Sequence, residues 1–328
     1  MAVLVTGGAG YIGSHTVAAL LARGEDVVTV DNLQQGHRSA VTGGKLYVGD
    51  IRDDSFIRQV FEENHIESVI HFAANSLVGV SMKEPYAYYH NNVYGTMRLL
   101  ETMNQFNVKR IVFSSTAATY GEPDSVPIAE TARNEPTNTY GETKLAMERM
   151  MRWFDVAHDV KYMALRYFNA AGAHESGSIG EDHDPETHLI PLILQVPLGK
   201  REYISIYGDD YDTPDGTCIR DYLHVSDLAE AHLLALDRLR SGGGSEVYNL
   251  GSGTGFSVKQ VIEAARSVTG HPIPARIVAR REGDPAALIA SSDKIKRELG
   301  WKPQKDDIAA IIADAWNWHQ HHPDGYGD

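Results

Sequence analysis

Tyr140 and Lys144 stand four residues apart at the start of a segment, 139–157, whose apolar residues recur at helical spacing, so the two side chains share one face. Together they can form a general base, because an ammonium beside a phenol favours the phenolate over its ordinary pKa of about 10. Standing alone, such a pair reads as an ordinary surface contact. Thr116 adds to it. It follows the apolar run 111–113 and offers a hydroxyl, at what reads as a strand end, to the oxygen the tyrosine would deprotonate. Removal of a hydroxyl proton while hydride leaves the same carbon is chemistry that such a trio can serve.

A hydride needs an acceptor, and the first turn of the chain is suited to hold one. Thr6-Gly7-Gly8-Ala9-Gly10-Tyr11-Ile12-Gly13 lies between a short apolar run, 2–5, and a helical pattern, 12–22, that ends near Gly24. Gly7 permits the tight turn, Gly10 lets backbone approach a pyrophosphate, and Gly13 allows close packing of helix on strand. The anion then meets free N–H groups at the positive end of the helix. Three spaced glycines among 30 are weak evidence on their own. The next apolar run, 27–30, however, ends in Asp31, where a carboxylate accepts hydrogen bonds from an adenosine ribose. An acid there repels a 2′-phosphate and favours NAD over NADP; the competing reading is that Asp31 merely starts a turn with Asn32. With the positive nicotinamide ring of NAD nearby, Lys144 is expected to lower the Tyr140 pKa by about three units, roughly 4 kcal/mol in a partly dry cleft.

The elements that must position these groups alternate regularly. Strand patterns at 45–48, 69–72, 110–113 and 162–165 are interleaved with helical ones at 55–63, 93–105 and 139–157, which predicts a doubly wound α/β fold of Rossmann type, a parallel sheet covered on both faces. Ligands in such sheets sit beyond the carboxyl ends of the strands. The ends Asp31, Asp50-Ile51, Phe72-Ala73-Ala74, Ser114-Ser115-Thr116 and 166–169 are therefore expected to line one crevice. After residue 170 the rhythm loosens, and 170–187 reads as a long functional loop. Helical patterns at 189–199, 225–239, 258–268 and 308–319, with strands at 203–207, 247–250 and 273–278, follow. The expected division is a dinucleotide-binding domain over 1–170, to which 222–250 returns, and a smaller mixed α/β lobe over 171–328.

Composition narrows the partners. A chain of 328 residues with 42% hydrophobic content can bury a substantial core. A formal charge of −14 without clustered Lys and Arg argues against nucleic acid. No apolar stretch approaches the roughly 18 residues of a membrane span, and a glycine turn this near the start leaves no room for a signal peptide, so the expected location is the cytoplasm. The single cysteine, Cys218, is expected to serve packing.

The glycine turn, strand-end threonine and Tyr-x-x-x-Lys resemble the extended short-chain dehydrogenase/reductase family over essentially the whole chain. The likeness tightens in Phe113-Ser114-Ser115-Thr116-Ala117-Ala118-Thr119-Tyr120-Gly121, in Leu165-Arg166-Tyr167-Phe168-Asn169, in Arg220-Asp221-Tyr222-Leu223-His224-Val225 and in Arg280-Arg281-Glu282-Gly283-Asp284, which are similar to its nucleotide-sugar 4-epimerases. That resemblance implies bound NAD, a UDP-hexose substrate and a homodimer. It implies interconversion of UDP-glucose and UDP-galactose through a transient 4-keto sugar, as in galactose metabolism, with UDP-GlcNAc and UDP-GalNAc as a second candidate pair. In its terms Tyr140 is the base, Lys144 tunes it, and Thr116 aligns the oxygen. Gly7, Gly10, Tyr11, Ile12, Gly13, Asp31, Asn32, Asp50, Ile51, Phe72, Ala73, Ala74, Asn91 and Phe168 would join Tyr140 and Lys144 around NAD. Asn169, Arg220 and Arg281 would meet the pyrophosphate, Asp284 the uridine ribose and Tyr207 the uracil. His188, Leu189, Tyr222, Val258 and Leu288 would join Thr116 in lining the substrate site.

Departures from the family pattern are informative. Nucleotide-sugar dehydratases carry an Asp-Glu pair after the catalytic threonine, since expelling water needs an extra acid and base; here Ala117 and Ala118 stand there, which favours epimerisation. Ser76 replaces a lysine that some members place near the cofactor ribose. Leu288 stands where a tyrosine can close the sugar pocket, and a shorter residue goes with 2-acetamido sugars. His174, His183 and His188 lack the fixed spacing and nearby ligands of a zinc site, so no metal is expected. Met147, Met150, Met151, Trp153 and Phe154 read as core or a helix interface, and the histidines at 319, 321 and 322 as a polar chain end. Arg220 with Asp221, and Arg281 with Asp284, are alternatively ordinary salt bridges. Two other functions stay open at this point. Another nucleotide-sugar oxidoreductase or decarboxylase would show net cofactor reduction, whereas a cofactor-sensing regulator would have no need of Tyr140, Lys144 and Thr116 together.

Overall fold

Seven short apolar runs pair side by side into one sheet in the computed structural model, which describes residues 1–281 and 284–328. They are β1 (Ala2–Thr6), β2 (Asp26–Asp31), β3 (Lys45–Val48), β4 (Ile66–His71), β5 (Arg110–Ser114), β6 (Lys161–Arg166) and β7 (Glu246–Asn249). Every pairing is parallel, and the order is β7-β6-β5-β4-β1-β2-β3. Strand order reverses beside β1, the topology that opens a crevice at the strand ends.

Both faces of the sheet are covered, so its central strands are apolar throughout rather than alternating. From β1, Val3 and Val5 face one core with Val17 and Leu20 of α1 (Tyr11–Ala22), while Leu4 faces the other. That second core holds Ile57 and Val60 of α2 (Asp54–Glu63), Leu99 and Met103 of α3 (Gly95–Gln105), and Met147 and Met151 of α4 (Thr139–His158). The first core is completed by Leu228, Leu233 and Leu236 of α5 (Val225–Arg240). Local signals start and stop these helices. Asp53 caps α2 by accepting from the N–H groups of Ser55 and Phe56, Asn138 caps α4 by accepting from Gly141, and Asp159 ends α4 in a left-handed conformation.

The close approach of α1 to β1 depends on Gly13, where an added Cβ would lie 2.1 Å from the Gly7 carbonyl oxygen. The helical pattern over 93–105 extends further back than its periodicity suggested, because α3 follows directly on a π-helical stretch, Tyr89–Tyr94, and a short helix, Pro85–Tyr88. The pattern over 189–199 instead stops early, at Leu194, since Pro197 has no N–H to give and disfavours helix in the residue before it.

Beyond residue 170 small sheets and helices build a second layer over the strand ends. Asn169–Ala171 pairs with Tyr222–His224, and Ile204–Tyr207 with Ala275–Val278. Ile219–Arg220 lies between Phe256–Ser257 and Ala287–Leu288. Helices Leu189–Leu194, Val258–Thr269 and Ile308–His321 pack together through Ile193, Val261, Ile262, Ile311 and Ile312. Among the described residues no helix is long and apolar enough to cross a membrane.

Candidate active site

Lys144 lies one turn into α4 and is 3% exposed. Its amine donates to the Ser114 carbonyl at 2.9 Å and sits 4.9 Å above the Phe113 ring and 5.9 Å from the Tyr140 ring. Tyr140 precedes it on the same face. The two reach the end of β5 because α4 packs tightly on the turn Ala117–Tyr120: an added Cβ at Gly141 would lie 2.6 Å from the Ala118 carbonyl oxygen. That turn is capped by Thr116, whose Oγ1 accepts from the Ala118 N–H at 3.1 Å and faces the Tyr140 phenol.

Burial decides the protonation of the pair. Desolvation pushes the Tyr140 phenol up to about 12 against the opposing pull of Thr116, and draws Lys144 down to about 7 although Glu148 favours its charged form. In the protein without cofactor, loss of hydration outweighs the pull of the Thr116 hydroxyl on the phenol.

Glu148 and Asn92, which support this trio, carried no sequence signal beyond being polar on a helical segment, whereas Ser115 and Arg166 lie at strand ends expected to line the crevice. Glu148, one turn past Lys144, is 5% exposed and takes a bidentate pair of bonds from the equally buried Arg166, at 2.9 and 2.5 Å. Ser115 donates to the same carboxylate at 2.5 Å. Asn92, wholly buried, accepts from the Asn75 N–H at 2.7 Å and donates to the Asn75 carbonyl and to Thr143, tying the loop after β4 to α4.

The residues assigned to a dinucleotide gather at the same edge. Gly7 turns with a φ of +72°. Helix α1 has neither a side-chain cap nor an acid in its first turn, so the N–H groups of Tyr11 and Ile12 face a free anion position. A Cβ at Gly10 would meet nothing nearer than the Gly7 oxygen at 3.4 Å, leaving that approach open. Asp31, buried at the end of β2, accepts from Ala9 and Leu33 N–H at 3.0 and 2.8 Å, so it also anchors the glycine turn. Asn32 reaches Asp50 at 3.3 Å, and Asp50 is held down to about 2 chiefly by Arg52. Ile51 is buried, Phe72 packs on His232, Ala73 closes on Gly7, and Ala74 follows it. Asn91 donates to Asn92, and Phe168 packs beside Ala117. An anion cradle beside an acid at the end of the second strand fits NAD.

The proposed substrate residues are less uniform. Asn169 donates its amide to the Asp221 carbonyl at 2.8 Å. Arg220 pairs with Asp284, and the Arg281 guanidinium lies 4.1 Å over the Tyr207 ring. The alternative pairings, Arg220 with Asp221 and Arg281 with Asp284, are therefore not the ones formed. Asp221 is instead buried, accepting from the N–H groups of Ser252 and Ala290. Glu282 and Gly283 of that motif lie outside the described residues. Tyr222 is buried, its phenol pushed up by burial, and Val258 starts its helix against the Cys218 carbonyl. Leu189 packs on the second-layer core, and Leu288 packs with Phe168, Ala117 and Tyr120 beside the catalytic turn.

His188 also has partners within the protein. Its imidazole is turned to Glu181 and Glu186 at 2.8 and 3.0 Å, and His183 joins them, so these histidines do have nearby ligating groups. The chain folds back between residues 181 and 188, which spacing alone did not show. Burial depresses both imidazoles, but the two carboxylates prevail and hold His183 and His188 above the usual range.

A doubly wound sheet with an uncapped glycine turn, and a half-buried tyrosine beside a buried lysine and threonine at the same crevice, defines a dinucleotide-dependent protein equipped to deprotonate a hydroxyl. The family model for the NAD dependent epimerase/dehydratase family matches residues 3–251. The chain belongs to that family, and NAD is its cofactor. The UDP-glucose 4-epimerase of Halalkalibacterium halodurans is 60% identical over 326 residues, 99% of this chain and 98% of that one. A crystal structure of a UDP-glucose 4-epimerase matches with a TM-score of 0.99 at 58% identity, covering 100% of both chains. The UDP-glucose 4-epimerase from Bifidobacterium longum, in complex with NAD+ and UDP, matches with a TM-score of 0.94 at 44% identity, over 99% of this chain and 100% of that one.

The depressed Lys144 pKa has a measurable consequence. The folded protein binds fewer protons than the unfolded chain between about pH 7 and the ordinary lysine value of 10.5, so its stability rises with pH there. Lys144→Met is expected to stabilise the cofactor-free protein below pH 7, by on the order of 3 kcal/mol after allowing for the lost Ser114 bond, and to lose that advantage by about pH 10.5. Urea unfolding across that range measures it; an equal difference at every pH would refute the assignment.

Proposed function

We propose that this protein is an NAD-dependent isomerase that interconverts UDP-glucose and UDP-galactose by inversion at C4, without net redox, in galactose metabolism. The observation that carries the reading is the placement of Tyr140, Lys144 and Thr116 beside the glycine turn in a chain so close to enzymes of that name. Tyr140 takes the proton of the sugar 4-hydroxyl and gives it back after the sugar has turned, while Thr116 holds the oxygen in line. Lys144 keeps its donors on the phenol's side of the crevice, anchored by the Ser114 carbonyl. When bound, NAD supplies the hydride acceptor and donor, and its positive ring adds the charge that the buried phenol needs to ionise.

Inversion requires that a 4-keto sugar rotate while its nucleotide stays fixed. Arg220, Arg281 and Asn169 are assigned to the pyrophosphate, Asp284 to the uridine ribose and Tyr207 to uracil. Arg220 and Asp284 hold one another in this structure, which keeps both oriented for a ligand that replaces part of that contact. Ala117 and Ala118 leave no acid and base to expel a C6 hydroxyl. In this reading residues 1–170 with 222–250 hold NAD, and the remainder of 171–328 holds the UDP-sugar.

Leu288 favours a second substrate pair. Its side chain packs with Phe168 and Ala117 next to Thr116, and leucine leaves more room than tyrosine for a 2-acetamido group. The quaternary state we infer is a homodimer, and the location the cytoplasm, where nucleotide sugars are made and used. Apolar side chains exposed on α3 and α4 support the dimer: Met97 is 40%, Trp153 67% and Val156 72% exposed.

Proton NMR of UDP-galactose with the purified protein should show a mixture with UDP-glucose, and Tyr140→Phe should slow it about 10²–10⁴-fold with NAD still bound. An unchanged rate in that variant would sink the mechanism. UDP-GalNAc is expected to turn over as well, and Leu288→Tyr to abolish that conversion while sparing UDP-galactose; a wild type inactive on UDP-GalNAc would refute the pocket assignment. Light scattering should give a dimer that Trp153→Glu splits, and a wild-type monomer would end that inference.

A further inference from the structure

The segment 172–188 carries four ligating side chains that epimerisation leaves unused. Glu181, His183, Glu186 and His188 are separated by two, three and two residues, a spacing without helical or strand regularity, yet one ligand atom from each lies within 4.8 Å of the other three. The Nδ1 of His188 lies 2.8 Å from Glu181 Oε1 and 3.0 Å from Glu186 Oε1, and the Nδ1 of His183 lies 3.3 Å from Glu181 Oε1 and 3.7 Å from Glu186 Oε2. A tetrahedral zinc ion with bonds of about 2.0–2.2 Å separates its donors by about 3.4 Å. These four contacts, which use both oxygens of Glu186, run from 2.8 to 3.7 Å and bracket that value, while Glu186 Oε1 also accepts from the Thr187 and His188 N–H groups.

Direction argues the same way as distance. Glu181 Oε1 and His183 Nδ1 are buried and make no well-aligned hydrogen bond, although His188 Nδ1 lies 2.8 Å and His183 Nδ1 3.3 Å from that oxygen. Atoms that approach this nearly without lining up for a hydrogen bond converge on a point between them. Glu181 is also only 4% exposed, and a carboxylate so deep needs compensating positive charge.

We propose that Glu181, His183, Glu186 and His188 bind one zinc ion. Two neutral imidazoles and two carboxylates balance its charge, and a mixed nitrogen and oxygen set of four suits zinc. With four protein ligands the site is closed, so the ion is structural. Its location gives it a task. The Tyr11 hydroxyl donates to the Gly172 carbonyl at 2.6 Å, and the Tyr11 ring meets His183 edge-on at 6.1 Å. Gln35 donates to the Asp184 carbonyl at 3.3 Å, and His37 contacts the Asp182 carbonyl at 3.2 Å. The ion would staple a loop that already rests on the glycine turn, and would set the start of the helix at Leu189.

Metal analysis of the full-length protein, purified without a metal-affinity tag and dialysed against zinc, tests this. About one zinc per chain is expected, with a fall in thermal midpoint on chelation that added zinc reverses. Cobalt substituted into the wild type should give the visible absorption of a tetrahedral ion, a readout that needs no variant to fold. His183→Asn should lose the metal. Substoichiometric zinc with no cobalt band would overturn the proposal and leave the cluster as an ion-pair network shared by protons. Unchanged zinc affinity in His183→Asn would overturn it equally.

Discussion

An amine in the interior of the protein sets the terms for everything around it. Lys144 is almost wholly buried, and each group that touches it offsets part of its lost hydration: the Ser114 carbonyl as acceptor, the Phe113 ring as a polarisable face, and Glu148 as a countercharge one turn away. Glu148 could not be left there uncompensated, and Arg166 holds it by two bonds. Lys144 reaches back to β5, Ser115 at the end of β5 reaches Glu148 of α4, and Arg166 at the end of β6 reaches the same carboxylate. One polar network thereby fixes the relative heights of two strands and a helix, and removing either Glu148 or Arg166 would strand the other as a buried charge.

That network works only because the sheet is parallel. Parallel strands end on the same side, so Asp31, Thr116 and the Gly7 turn share one crevice although they are distant in sequence. The tyrosine is delivered to that crevice by a helix, and the helix can come close because residue 141 has no side chain. Asn92 then holds the loop after β4 against the same helix, fixing the crevice from its other wall.

The second layer is organised by charge rather than by apolar contact at the places that face the crevice. Arg220 with Asp284 and Arg281 on Tyr207 keep polar groups partnered in the protein alone. Such groups hold their orientation without ligand, and orientation is what a rotating intermediate would need from residues that grip its nucleotide.

The chain by itself determined what is local. Strands and helices were legible because burial on two faces writes an unbroken apolar run, and burial on one stripe a period of 3.6, into consecutive residues, and the glycine turn because its strain lies within a few residues. The shared face of Tyr140 and Lys144 was legible for the same reason. Tertiary structure decided what depends on distant atoms. Arg220 pairs with Asp284, 64 residues away, and not with its neighbour. The four ligating side chains at 181–188 meet only because the chain folds back, and His188 is turned to them. In the cofactor-free protein the Tyr140 pKa is raised because desolvation sums over every atom that replaces water around the phenol, and no spacing of residues records that sum.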